Sequence, residues 1–235
     1  MNSNHQFKQQ ESVDGDQENG ISEPLINSIP AATAHRLGLY LRELQQIQRT
    51  GIATVKSTDL VQRLGLSDSQ IRRDLALFGQ FGKRGVGYNV TGLVGALRKS
   101  LGTDGQWGTV LVGLGNLGSA LVRYRGFAQQ GFLIRAIYES DPQKIGKNIG
   151  GIPVLDFRQI DTTLPSLSVK LAIIAAPSDQ AQNIAEKLTA LGVQGILNFA
   201  PVVLQLDRNV SAVHVDLAIE LQRLAFAVVN RERSR

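Results

Sequence analysis

The chain has 235 residues, room for one large or two modest domains, and an ordinary hydrophobic share of 43%. It has no cysteine, which excludes disulfides, thiolate nucleophiles and cysteine-held metals, and no apolar run reaches the roughly 20 residues that cross a bilayer. The net charge of +5 is unevenly placed: residues 30–100 hold eleven Lys and Arg against four acids, while residues 1–29 hold one Lys against five acids. A basic excess confined to about seventy residues is the electrostatic footprint of a segment that binds a polyanion.

Residues 1–28 are polar, without periodicity and without the apolar core of a signal peptide. They read as a disordered tail, and the expected location is the cytoplasm. From Ala31 to Arg49, Leu37, Tyr40, Leu41, Leu44 and Ile47 fall at helical spacing. A short extended piece, Ala53–Lys56, follows, and Ser57 is the expected cap of a second helix that Gly65 ends. Ser67, with Gln70 three residues on, predicts the start of a third helix. On it Ile71, Leu75 and Phe78 share one face, while Arg72 and Arg73 point elsewhere. The glycine-rich run from Gly79 to Val90 reads as a tight basic hairpin, and Thr91 as the cap of a further helix to about Leu101. This order is that of a winged helix-turn-helix, whose third helix enters the major groove. Ser69, Arg72 and Arg73 on that helix, with Lys83, Arg84, Gly85 and Tyr88 of the hairpin, are the candidate DNA contacts.

Beyond a linker at Gly102–Gln106, strands alternate with helices, as in a parallel sheet with crossover helices. Strands are expected at Thr109–Val112, Phe132–Tyr138, Ile152–Leu155, Leu171–Ala175, Gly195–Leu197 and Ala212–Val215. Helices are expected at Leu117–Gln129, Asp179–Leu191 and Asp216–Val229. The first strand runs straight into Gly113-Leu114-Gly115-Asn116-Leu117-Gly118, a dinucleotide fingerprint opening a helix. Glu139 ends the next strand 21 residues after Gly118, where an acid accepts hydrogen bonds from the adenine ribose and repels a 2′-phosphate, so NAD(H) is the expected cofactor. Asp141 is the competing acid. Pro177 and Phe199, at later strand ends, are further candidates for the cofactor site.

A dehydrogenase would need an acid or base near the nicotinamide. Of the three histidines only His214 falls in this half, and one histidine beside a helix start reads as structural. The expected function is therefore sensing rather than catalysis, with no catalytic and no metal-binding residue assigned. The expected division is 29–101 for DNA, 107–215 for NAD(H) and 216–235 for a dimerisation helix and tail. The fold class is α/β: a winged helix-turn-helix followed by a Rossmann-type doubly wound parallel sheet.

The segments Ile71–Leu75, Gly82–Tyr88, Val112–Gly118, Lys144–Gly146, Gly195–Pro201 and Val215–Ala218 resemble, in order and across both halves, the Rex family of bacterial redox-sensing repressors. The resemblance implies a homodimer on a palindromic operator of double-stranded DNA, released by NADH with NAD⁺ competing. It also implies that the last helix crosses to the partner subunit. The apolar positions Leu217, Leu221, Leu224 and Val228 suit such burial. The family often has Asp where this chain has Glu139. Tyr124, and a pairing of Arg42 with Asp216, are the candidates for the switch.

Overall fold

The computed structural model describes residues 29–78, 81–83 and 86–233. Residues 1–28 and the hairpin residues Arg84 and Gly85, all singled out above, lie outside the described residues. The chain divides after Leu101 into two compact units.

The first unit runs α1 (Ala31–Arg49), β1 (Thr54–Val55), α2 (Ser57–Leu64), α3 (Asp68–Ala76), β2 (Gly82–Lys83), β3 (Gly87–Asn89) and α4 (Val90–Ser100). The apolar stripe predicted on α1 is buried in full, against Leu60 of α2, Ile71 and Leu75 of α3, and Leu93 and Leu97 of α4. The strands form an antiparallel sheet in the order β1-β3-β2. Gly87 makes that sheet possible: its φ is +111°, and a Cβ there would sit 2.5 Å from the Val55 carbonyl oxygen.

Two predicted caps move by one or two residues. Lys56, not Ser57, precedes α2, and the Asp59 carboxylate accepts from the Lys56 N–H at 3.0 Å. Ser57 is instead buried. Asn89, not Thr91, caps α4, accepting from Gly92 N–H at 2.7 Å. Asn caps at least as well as Thr, and β3 delivers Asn89 to that position first. Ser67 caps α3 as expected, its Oγ accepting from Gln70 N–H at 3.2 Å.

The second unit begins with β4 (Trp107–Val112), α5 (Asn116–Arg123), α6 (Gly126–Gln129), β5 (Phe132–Glu139), β6 (Asn148–Ile149) and β7 (Ile152–Asp156). It continues through short helical turns including α7 (Ile160–Thr163) to β8 (Leu171–Ile174), α8 (Ser178–Ala190), β9 (Gly195–Asn198), β10 (Ser211–His214) and α9 (Leu217–Arg233). The sheet order is β10-β9-β8-β4-β5-β7-β6, parallel throughout except for β6 against β7. The chain winds outward from β4 in both directions, so the crevice between the C-terminal ends of β4 and β8 is the topological switch point.

The single helix predicted over Leu117–Gln129 is two, because Tyr124 turns extended at ψ 103°. Its ring packs over Gly126, where any Cβ would overlap it, and lies edge-on to Phe127 at 5.1 Å. The two-residue β6 has no counterpart among the predicted strands, being too short to carry a period. On α9, Leu217, Ile219, Leu221, Leu224, Phe226 and Val228 are all exposed.

Candidate nucleotide site and nucleic-acid interface

β4 delivers the glycine loop to the switch point. Gly113 has φ +95°, and a Cβ there would stand 2.5 Å from the Ala175 carbonyl oxygen at the end of β8. Its N–H donates to the Tyr138 carbonyl at 2.9 Å. Gly118, in the first turn of α5, lies against the Gly113 carbonyl so closely that any Cβ would overlap it. Gly115 differs: a Cβ there meets nothing within 4 Å. Two of the three glycines thus let backbone meet backbone, and the third leaves open the side a ligand phosphate would approach. The first turn of α5 presents free N–H groups and the positive end of the helix dipole to that side.

Glu139 is 9% exposed, and its carboxylate is largely occupied from within. Oε2 accepts from Leu114 N–H at 2.7 Å, and Oε1 from the N–H groups of Ser140 at 2.7 Å and Asp141 at 3.0 Å. Oε1 is thereby full, while Oε2 keeps one acceptor position for a hydroxyl. The residue predicted as a ribose acceptor is also the strut that holds the glycine loop on β5. Burial pushes the carboxyl up, but the Asp141, Leu114 and Ser140 N–H groups and Lys144 outweigh it and hold it below the usual carboxylate range. The stabilisation from this charge is present above the unfolded value of about 4.3 and is lost as pH falls through the depressed folded value. The protection of the Leu114 amide against hydrogen exchange, taken relative to the intrinsic rate at each pH, is therefore expected to hold down to about pH 4 and to fall only below it.

Asp141 serves the local turn instead. Its Oδ1 accepts from Gln143 N–H at 2.9 Å, fixing the chain around Pro142. Lys144 stands 3.4 Å from Asp141 and 3.9 Å from Glu139. Together these groups border a cleft of about 600 Å³ lined by Gly113 to Leu117, Glu139, Ser140, Lys144, Phe157, Pro177, Gln180 and Asn183, among others. The structure brings Pro177 to this cleft but not Phe199, which is half-buried at the end of β9, its N–H bonded to the Ile174 carbonyl at 2.9 Å. Gly118 lies beneath the cleft rather than in its wall, and Tyr124 is 61% exposed away from the lining. Lys144 opens one of the segments that carry the family resemblance, without a role assigned to it there, while Ser140, Phe157, Gln180 and Asn183 are not singled out by the sequence. Their signal is position alone, just past a strand end or in the first turns of a following helix. His214 Nε2 accepts from Leu204 N–H at 3.1 Å, so it tethers a loop. Among the described residues no group of three acids or histidines could hold a metal.

In the first unit, α3 turns Ile71 and Leu75 inward and leaves Ser69, Arg72 and Arg73 exposed. Asp74, on its buried side, belongs to the Ile71–Leu75 segment that carries the resemblance, but the sequence assigns it no role. It is 2% exposed and binds Arg36 of α1 through both oxygens, at 2.7 and 2.9 Å. The buried Tyr40 hydroxyl donates to it at 2.7 Å and Gln70 at 2.8 Å. This node clamps α3 to α1. Burial raises the Asp74 carboxyl, but Arg36, Tyr40 and Gln70 together hold it below its usual range. Lys83 lies on β2, opposite Gly87. Tyr88 is half-buried, its ring over Gly82, so only part of it faces outward.

Residues 28–76 match the "Putative DNA-binding protein N-terminus" family and residues 104–202 the CoA binding domain family. The redox-sensing transcriptional repressor Rex of Desulfitobacterium hafniense is 47% identical over 203 residues, 86% of this chain and 97% of its own. This chain belongs to the Rex family. The Rex of Carboxydothermus hydrogenoformans is 46% identical over 85% of this chain and 96% of its own, and that of Rhodopirellula baltica 40% over 98% and 94%. Among solved structures, RSP, a Rex-family repressor, in complex with NAD⁺ and operator DNA is 32% identical with a TM-score of 0.80, covering 87% of this chain and 94% of its own. The RSP complex with NADH is 30% identical with a TM-score of 0.77, covering 87% and 96%.

Proposed function

We propose that this Rex-family chain acts in the cytoplasm as a homodimeric repressor that binds operator DNA and is released by NADH, so that transcription follows the NADH/NAD⁺ ratio. The observation that carries the reading is one chain holding both parts: a glycine loop strapped to a buried carboxylate at a sheet switch point, and a basic winged helix. The RSP structures support it, being complexes of a relative with NAD⁺ and operator DNA and with NADH.

In this reading Gly113 to Gly118, Glu139 and Pro177 hold the adenosine diphosphate half of the dinucleotide. That half is identical in NADH and NAD⁺, so the loop gives affinity without redox discrimination. Discrimination belongs to the nicotinamide end, where the oxidised ring adds one positive charge. Ser69, Arg72, Arg73, Lys83, Arg84, Gly85 and Tyr88 meet the DNA. The exposed apolar residues of α9 are covered by a second copy of the chain, which removes them from water in the assembly. A symmetric dimer places two α3 helices one DNA turn apart, roughly 34–36 Å. NADH releases DNA by binding better to a dimer with the wrong spacing, and operator DNA must weaken NADH by the same factor, about 5–150-fold.

Fluorescence anisotropy of a labelled palindromic duplex tests this. NADH titration is expected to free the duplex, and NAD⁺ to oppose NADH. Absence of duplex binding at every NADH/NAD⁺ ratio would sink the reading, and turnover of NADH with a small carbonyl compound would favour a dehydrogenase.

Asp216 is a candidate partner for Arg42 in one state of the switch. Its Oδ1 caps α9 by accepting from Ala218 and Ile219 N–H at 2.8 and 3.2 Å. Asp216→Asn keeps a capping oxygen and removes the charge, so it is expected to cut the NADH-dependent release several-fold without shifting the melting temperature. Unchanged release would remove the Arg42–Asp216 pairing from the mechanism.

A further inference from the structure

Arg72 and Arg73 are neighbours on the exposed part of α3, but their surroundings differ. Arg72 Nε donates to Asp68 Oδ2 at 2.7 Å, one helical turn earlier. The Arg72 side chain remains 62% exposed and that of Asp68 40%. The other oxygen of Asp68, Oδ1, is buried and has no hydrogen-bond partner among the described residues, and nearby Ser57 of α2, then Arg72, keep the carboxyl below its usual range despite partial desolvation. Among the described residues Arg73 makes no ion pair within 4.0 Å.

A carboxylate in this position works against affinity. Duplex DNA carries one negative charge per about 1.7 Å of axis, and Asp68 in the first turn of α3 brings another negative charge to it. An arginine that contacts phosphate has no use for such a neighbour, because the phosphate orients it. An arginine that reads a base does. The guanidinium is a rigid plane of five N–H donors. With Nε fixed on Asp68, the plane is set, and the Nη1 and Nη2 edge is left as two parallel donors. That edge matches O6 and N7 of guanine in the major groove.

The geometry points to Asp68 as a specificity-determining residue: it holds Arg72 in the orientation that reads a guanine, and its charge weakens binding to every other sequence. Arg73 is then the phosphate contact of the pair. The inference rests on α3 being the recognition helix, and the test separates the two.

The unvaried full-length chain is first used to enrich a duplex from a random-sequence library. Failure to enrich any sequence overturns the DNA-binding reading and this inference with it. Affinities for the enriched duplex and for a shuffled duplex of the same composition are then measured for the variants over a range of salt. Asp68→Ala is expected to bind the shuffled duplex at least about twofold tighter, while its enriched-to-shuffled ratio falls about tenfold, the loss mapping to one G·C pair in each half-site. Asp68→Asn, whose amide oxygen still accepts from Nε, is expected to keep most of the ratio and to guard against a folding defect in the alanine variant. Arg73→Ala is expected to lower the salt slope by about one unit with the ratio unchanged. If Asp68→Ala tightens both duplexes equally, Asp68 is only a surface ion-pair partner and the inference is overturned.

Discussion

Gly118→Ala is expected to leave operator binding in place and abolish its response to NADH. The added Cβ overlaps the Gly113 carbonyl, which is backbone and has no rotamer to change. Gly113 cannot retreat either, since it already lies against the Ala175 carbonyl. The first turn of α5 must therefore shift, and with it the N–H groups that face the phosphates. A hydrogen bond to a charged group contributes about 1.5–3 kcal/mol, so misplacing this cradle is expected to cost about 3 kcal/mol, on the order of 100-fold in affinity. Calorimetry should show NADH affinity lower by at least that factor, and the strain should lower the melting temperature by roughly 5 °C. Gly115→Ala is the control. Its Cβ meets no protein atom, so the melting temperature should hold while cofactor affinity still falls. Equal melting losses in both variants would contradict the division of labour among the three glycines.

Asp74→Ala is expected to destabilise the first unit about as much as truncating one of its buried leucines. It leaves the fully buried Tyr40 hydroxyl without an acceptor and frees Gln70 and Arg36 from theirs. A buried donor left unmatched costs about 1–3 kcal/mol, so a loss of about 3 kcal/mol is expected across the node. That corresponds to a fall of roughly 15 °C in the unfolding of so small a unit. Asp74→Asn keeps one acceptor oxygen but turns an amide NH₂ toward the cluster of donors, and should fall between. Because the Asp74 carboxyl is depressed, the stabilisation of the ionised node is present above the unfolded value of about 3.9 and disappears as pH drops below it. Acid unfolding followed by circular dichroism should show this loss in the unvaried chain, and Asp74→Asn should remove that component. An alanine variant that melts with the parent would show the node to be surface decoration.

The apolar spacing on α1, the Ser67 cap, the fingerprint loop and the strand–helix alternation were legible because each is a local pattern. Leu37 to Ile47 repeat at the helical period, and Gly113-x-Gly115-x-x-Gly118 occupies six consecutive positions. Where the pattern was ambiguous, the three-dimensional contact decided. Tyr124 fits a helix by period, yet its packing over Gly126 breaks the helix there. Phe199 follows a strand end like Pro177, yet it is half-buried against the cluster of Leu111, Leu114, Ile137, Val154 and Ile173 and is not among the cleft's lining residues.

The charge asymmetry, the order of elements and the placement of an acid after the second Rossmann strand follow from the sequence by itself, because each depends only on residue type and on separation along the chain. Their partners do not. Whether Glu139 faces a ribose or the Leu114 N–H, and whether Asp74 sits in solvent or in a four-residue clamp with Arg36, Tyr40 and Gln70, depends on groups 4 to 38 residues away in the chain. Burial decides these cases. Once a carboxylate leaves water it must find donors, and only the folded backbone determines which donors are within reach.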